Sequence, residues 1–275
     1  MTFTPENGMT ETVAQFVNDL RDGQALIQAG WDDAPHMTKE VRQQILAALP
    51  PHERKMREQG IPQLGSGLVF PIAESDMICD PINMPDHWPR ICGLDFGWDH
   101  PTAAAWAAWD RDSDIIYIYD TYAMSQEAVP IHASAVKARG QWIPVIWPMD
   151  GRQADKGSGK SLTEQYRNEG VNMTREHFTN PPQQGQKENT GGISVEAGVQ
   201  EMYTRFMTNR LKIFNNQSKL LEELRMYHRK DGKIVFKHDD VISAARYAVM
   251  SVRKARVKNY EPKQLYSDSS FNVFA

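Results

Sequence analysis

Residues 91–97 read Ile91-Cys92-Gly93-Leu94-Asp95-Phe96-Gly97, with Trp98, Asp99 and Pro101 just beyond. An apolar run that ends in an acid and then a glycine turn predicts a strand with a charge at its end. Two further strand-like segments follow, Thr102–Trp109 and Asp114–Tyr122, and the three together predict an antiparallel meander. A carboxylate in a central strand is costly unless something pairs with it. A divalent cation is one such partner. A strand-end aspartate capping a turn is the alternative, and this stretch alone supports both.

Downstream, Ser125 is placed to cap a helix from Gln126 to Arg139, with Pro130 near its first turn and Gly140 at its end. Trp142–Trp147 reads as a strand leading to Asp150-Gly151, and a polar glycine-rich loop over 151–159 precedes a helix from Ser161 to Asn168. Residues 180–192 read as a loop. Helix Val195–Thr208, strand Leu211–Phe214, helix Lys219–His228, strand Lys233–Lys237 and a last helix from Val241 to Arg256 complete the pattern, with a tail from Tyr260. Three antiparallel strands and then alternating helices and strands predict an α/β fold with a mixed sheet.

Upstream the texture differs. Thr10 caps a helical pattern with Val13, Phe16, Val17 and Leu20 on one face, and Thr38 caps a second helix that Pro50-Pro51 stops. Leu68-Val69-Phe70 is at most an edge strand, because Pro71 follows at once. The expected division is a linker or partial domain over 1–86, a main domain over 87–258 and a tail over 259–275.

The bulk composition narrows the function. With 275 residues, 40% hydrophobic and 24% charged, the chain has the makeup of a globular protein. A net charge of −4 creates no global attraction for nucleic acid, so any such surface must be a local patch. Cys79 and Cys92 form neither a disulfide framework nor a zinc pattern and fit a reducing compartment. No apolar run is long enough to span a bilayer, and Met1–Pro5 lacks the basic and apolar regions of a secretory signal. A soluble intracellular protein is the expectation.

Acids recur at equivalent places. Asp95 ends the first strand, Asp150 follows the strand after the first helix, and Asp239 and Asp240 open the last helix. Two-metal phosphodiester hydrolysis needs carboxylates from different elements converging on a pair of cations, and Mg²⁺ or Mn²⁺ takes such oxygen ligands. Each acid also has a structural reading: Asp239 and Asp240 as helix N-cap acids, Asp150 as half of an Asp-Gly turn. His238 reads as a packing or surface residue, or as an outer partner of the site.

Three motifs carry a family resemblance. Gly93-Leu94-Asp95-Phe96-Gly97 with Trp98 and Pro101-Thr102, Trp147-Pro148-Met149-Asp150-Gly151, and His238-Asp239-Asp240 leading into Ala244-Ala245-Arg246-Tyr247-Ala248 resemble the acidic motifs of the nuclease portion of large terminase subunits of tailed bacteriophages. Thr2-Phe3-Thr4-Pro5 with Gly8 is similar to the coupling motif that ends the family's ATPase core, and Trp31–His36 to the segment joining motor and nuclease. The resemblance implies a ribonuclease-H-like fold and a metal-dependent endonuclease that cuts concatemeric viral DNA during packaging. It implies Asp95 bridging two Mg²⁺ or Mn²⁺ ions, with Asp150 and a helix-terminal aspartate completing the site. That aspartate is Asp239 or Asp240, with Asp240 preferred. It further implies double-stranded DNA, the small terminase subunit and the portal as partners, and the cytoplasm of an infected bacterium as the place of action. Residues 1–86 would be a remnant of the linker from the ATPase. The family's phosphate-binding ATPase portion matches nothing here, so packaging ATPase activity is not expected.

Phe96 and Trp98 read as packing residues around the site, and Asp99 as a turn acid or an outer group. Candidate DNA contacts are Arg152, Lys156 and Lys160 in the loop, and Arg246, Arg253 and Lys254 near the C-terminal end. The last group is read equally as cations complementing a helix end. Two rival functions stand. Gly157-Ser158-Gly159-Lys160-Ser161 has the setting of a phosphate loop, but its first glycine is replaced by Ala154. A non-catalytic DNA-binding or assembly module fits the basic cluster but gives no reason for three converging acids.

Overall fold

The computed structural model describes residues 15–17, 20–34, 36–49, 54, 57–60, 67–153, 159–181, 192–230 and 233–258. The expected Thr10 cap and Val13, Lys156, most of the loops over 151–159 and 180–192, and the tail from Tyr260 lie outside them. Thr38 caps helix α1 (Lys39–Ala48) as expected, its hydroxyl accepting from the Val41 amide at 3.4 Å.

Eight strands follow among the described residues. β1 (Ile78–Cys79), β2 (Arg90–Asp95), β3 (Thr102–Asp110), β4 (Ile115–Met124), β5 (Val145–Ile146) and β6 (Leu211–Phe214) form one sheet, ordered β1-β6-β4-β3-β2-β5. β7 (Arg229–Lys230) and β8 (Lys233–Ile234) form a separate hairpin. β2, β3 and β4 are the antiparallel meander, whereas β1 with β6, β6 with β4 and β5 with β2 pair parallel. The sheet is therefore mixed, as the element pattern predicts.

Helices cover both faces. Besides α2 (Glu74–Met77) they are α3 (Val129–Ala138), α4 (Leu162–Asn168), α5 (Val195–Met207), α6 (Ser218–Met226) and α7 (Asp240–Met250). Side chains alternate along β2. Ile91 joins the apolar cluster that holds α5, α6 and α7, while Cys92 and Leu94 join the cluster beneath α3 and α4. By the same alternation Gly93 and Asp95 face α7.

Helix α7 rests directly on this face. A Cβ on Gly93 would overlap the carbonyl oxygen of Ala244 and stand 2.9 Å from the amide nitrogen of Ala248. The neighbouring strand offers Ala103, Ala105 and Ala107 to the same cluster, with Trp109 packing on it near the strand's end, and the helix answers with Ala244, Ala245 and Ala248. Small residues on both sides let the helix approach the backbone closely.

Several expected boundaries shift. α3 begins at Val129, with Ala128 and not Ser125 at its N-cap, because Gln126 sits at φ +57°, which no right-handed helix accepts. Only Val145–Ile146 of the expected Trp142–Trp147 strand pairs as a strand. The last helix ends at Met250, short of Arg256, and a 3-10 turn over Val252–Lys254 follows. The packed unit also reaches back across the expected boundary at 86. Val69, Phe70, Ile72 and Met77 join the core, and β1 is an edge strand of the main sheet.

Since the atoms facing Gly93 are backbone, they cannot step aside. Gly93→Ala is expected to cost about 3 kcal/mol in urea unfolding. A loss below about 0.5 kcal/mol would contradict this close approach.

Candidate active site

The topology brings the acids to one edge of the sheet. β2 and β5 run parallel, so Asp95 at the end of β2 and Asp150 just past β5 emerge at the same pole. Asp150 stands on a 3-10 turn over Met149–Arg152. Two packing contacts fix that turn against β2. The Thr163 hydroxyl donates to the Gly151 carbonyl at 2.8 Å, and a Cβ on Gly151 would lie 2.5 Å from the Phe96 ring. Phe96 in turn packs on Tyr166, with ring centroids 5.4 Å apart, so the expectation for Phe96 holds. Trp98 differs: it is 61% exposed and packs into neither core. Asp99 is exposed. Thr102 closes the loop behind Asp95, its hydroxyl donating to the Gly97 carbonyl at 2.9 Å and accepting from the Gly97 amide at 3.2 Å.

α7 delivers the remaining acids. Asp239 is its N-cap residue and Asp240 its first residue, yet the Asp239 side chain makes no capping bond. Asp239 thus stands at the N-cap position without closing the cap through its side chain. The cap comes from α6: Glu223 Oε2 accepts from the amides of Val241 and Ile242 at 2.9 and 3.0 Å. Just before the helix His238 adopts φ +54°, a strained conformation for a residue with a side chain.

The electrostatics show that the acids converge. Burial, followed by the charges of Asp150 and Asp240 and more weakly Asp239, pushes Asp95 up to about 7, with Arg246 opposing. Loss of hydration also raises Asp150, and loss of hydration with the Asp240 charge raises Asp239. Burial raises Glu223 to about 8, and its second oxygen, Oε1, has no hydrogen-bond partner. Carboxylates crowded in this way outnumber the Arg246 cation that opposes them at Asp95, and hard divalent cations suit an all-oxygen donor set of this kind. Among the described residues no three His, Cys, Asp or Glu side chains are gathered tightly enough to hold an ion as they stand. The donor chemistry fits Mg²⁺ or Mn²⁺, and the side chains would close inward to bind it.

The basic candidates separate. Arg152 is exposed two residues past Asp150, and Lys160 is exposed before α4. Arg246 is not a DNA contact: it is 3% exposed, its guanidinium lies 4.6 Å from the Tyr247 ring centroid, and its stem fills space left by Gly198 of α5. It serves as an internal counter-charge to Asp95. Arg253 and Lys254 lie at the opposite pole, since Arg256 pairs with Arg90 at the far end of β2 from Asp95. Of the phosphate-loop motif, Gly159, Lys160 and Ser161 are described, and Ser161 has a partner. It caps α4 in a reciprocal capping box with Glu164, which gives its hydroxyl a structural task.

Sequence reasoning missed Glu223. A signal existed, because Leu220, Leu221, Glu223 and Leu224 all lie on the buried face of α6, and an acid on such a stripe is anomalous.

The model of the terminase RNaseH-like domain family matches residues 92–252. The large terminase subunit of Salmonella phage P22 is 40% identical over 258 residues, which cover 94% of this chain and 50% of the relative. That of Enterobacteria phage LP7 is 40% identical over 251 residues, covering 91% and 51%. The chain thus spans about half the length of these curated relatives. The solved P22 large terminase nuclease domain aligns with a TM-score of 0.62 at 40% identity, covering 70% of this chain and 95% of that one. The fold is ribonuclease-H-like.

The Asp95 shift has a consequence for stability. Its folded pKa of about 7 exceeds the ordinary 3.8. Between those values the native state holds a proton that the unfolded chain has lost, so stability falls as pH rises through this window and levels off above it. In EDTA, Asp95→Asn should be more stable than the parent at pH 8 by roughly 2 kcal/mol, and no more stable at pH 4. Equal urea midpoints at pH 8 would show that the acids are not crowded.

Proposed function

Because the chain belongs to the terminase RNaseH-like domain family, we propose that it is a metal-dependent DNA endonuclease that cuts concatemeric viral DNA during packaging. The observation that carries this reading is that Asp95, buried at the end of β2, feels the charges of Asp150, Asp240 and Asp239, so that acids from three separate elements meet at one sheet pole. A DNA-binding module without catalysis has no use for acid where phosphate must approach.

Asp95, Asp150 and Asp240 would together hold the cations. Asp240 is preferred over Asp239 because it presses more strongly on Asp95. Bound Mg²⁺ or Mn²⁺ would act as a Lewis acid on the scissile phosphate and the attacking water. Glu223 holds the first turn of α7, and with it the backbone that presents Asp240. Arg246 limits the repulsion from below without reaching the substrate. The substrate is double-stranded DNA. Contacts to phosphate alone carry no sequence information, so cutting should show little sequence preference. The phage relatives suggest the cytoplasm of an infected bacterium as the place of action, with the small terminase subunit and portal as partners. No helix among the described residues is long and apolar enough to cross a membrane.

Plasmid cleavage in Mn²⁺ tests the assignment. Asp95→Asn and Asp240→Asn should each lower the rate at least about 100-fold, beyond what loss of an outer partner of a metal site costs. Asp239→Asn should lower it less. Parental cleavage by the Asp95 variant would refute the catalytic reading.

A further inference from the structure

We propose that a strip of cations along the β5 edge of the sheet is the track for the DNA backbone, leading from the acidic pole to the opposite end of the domain. The proposal rests on the nuclease reading and extends it to how the duplex lies.

Two grooves make the strip. One of about 350 Å³ opens beside the acids and is lined by Trp147, Arg152, Glu164, Arg167 and Arg175. Another of about 470 Å³ is lined by Asn172, Arg175, Glu176, Lys254 and Arg256. Arg175 borders both, so they adjoin.

The topology orders the cations. Arg152 shares its 3-10 turn with Asp150. The segment after α4 runs alongside β5 in the same direction: the Val145 amide donates to the Asn172 carbonyl at 2.8 Å, the Thr174 amide to the Val145 carbonyl at 2.9 Å, and the Phe178 amide to the Trp147 carbonyl at 2.6 Å. This course sets Arg175 between the poles. Arg256 is joined to Arg90 through backbone bonds of 2.7 and 3.0 Å, which puts it and Lys254 at the far end. The length of β2 separates the ends, roughly 16 Å, or about five base-pair steps of B-DNA.

The charges are available. Among the described residues none of Arg152, Arg167, Arg175, Lys254 and Arg256 forms an ion pair. Arg167 donates to the carbonyls of Thr174 and Arg175 at 2.7 and 3.3 Å, which fixes its guanidinium without neutralising it. Of the two bordering acids, Glu164 caps α4 and remains an anion beside Arg167, whose charge it offsets in part. On a chain of net charge −4 this strip is a local exception of the kind that a polyanion needs. A duplex is favoured over an acidic protein segment because the strip begins at the acids that must receive the scissile phosphate.

The test is anisotropy titration of the full chain with a labelled duplex of about 30 base pairs in EDTA, over roughly 50–200 mM KCl. Arg175→Glu with Arg256→Glu should raise Kd at least tenfold. The neutral pair, Arg175→Gln with Arg256→Gln, should make the log–log salt dependence shallower by about 2, near 0.9 per lost phosphate contact. Arg111→Glu, on the β3–β4 turn away from β5, should stay within twofold of the parent. Parental affinity and slope in both double variants would overturn the track, and so would an equal loss from Arg111→Glu. Parental binding by the double variants is also the result if the strip serves an acidic protein. Asp95→Asn separates the two claims: if it still cuts plasmid, the nuclease reading fails, while the binding data still decide the track.

Discussion

Helix α7 can lie on β2 only because Gly93 has no side chain, and the rest of the site follows from that contact. The backbone of Ala244 and Ala248 occupies the space of a Cβ on Gly93. The alanines of β3 continue the same shallow floor beneath the helix. A larger residue in this floor would lift the helix and carry the first turn of α7 away from the end of β2. Asp239 and Asp240 would then leave Asp95. The apolar packing of the sheet and the assembly of its charged edge are thus one constraint.

The charged edge is held against its own repulsion. Four carboxylates converge, and the buried cation that opposes them at Asp95 is Arg246. Scaffolding holds them there. Phe96 and Thr163 pin the turn bearing Asp150, Thr102 pins the loop after Asp95, and Glu223 caps the helix that presents Asp240. The strained backbone at His238 belongs to the same pattern, a conformation tolerated where the surroundings over-determine it. Repulsion of this kind favours the uptake of divalent cations, because each bound ion relieves several unfavourable pairs at once.

Much of this was legible in the residues. The apolar run through Ile91–Leu94 set the strand and its end, and parallel pairing then brought Asp150 to the same pole. What escaped depended on contacts distant in sequence. A two-residue strand such as β1 has no periodicity to read, and it exists because β6 accepts it as an edge. Arg246 reads as a surface cation by charge alone, and only Gly198 on another helix opens the space that buries it. The start of α3 was misplaced because Ser125 is a good cap by type, whereas the turn at Gln126 is set by how β4 ends. Glu223 was overlooked because its partners are amides of a helix formed later in the chain, although its place on an apolar stripe was visible.

The central claim is that Asp95 anchors a pair of divalent cations shared with the acids from β5 and α7. Anomalous diffraction from crystals of this protein soaked in Mn²⁺ tests it most directly. Two peaks roughly 3.5–4 Å apart are expected, both in contact with Asp95, one also near Asp150 and the other near Asp240. Peaks that avoid Asp95, or no bound Mn²⁺ among these carboxylates at saturating concentration, would contradict it.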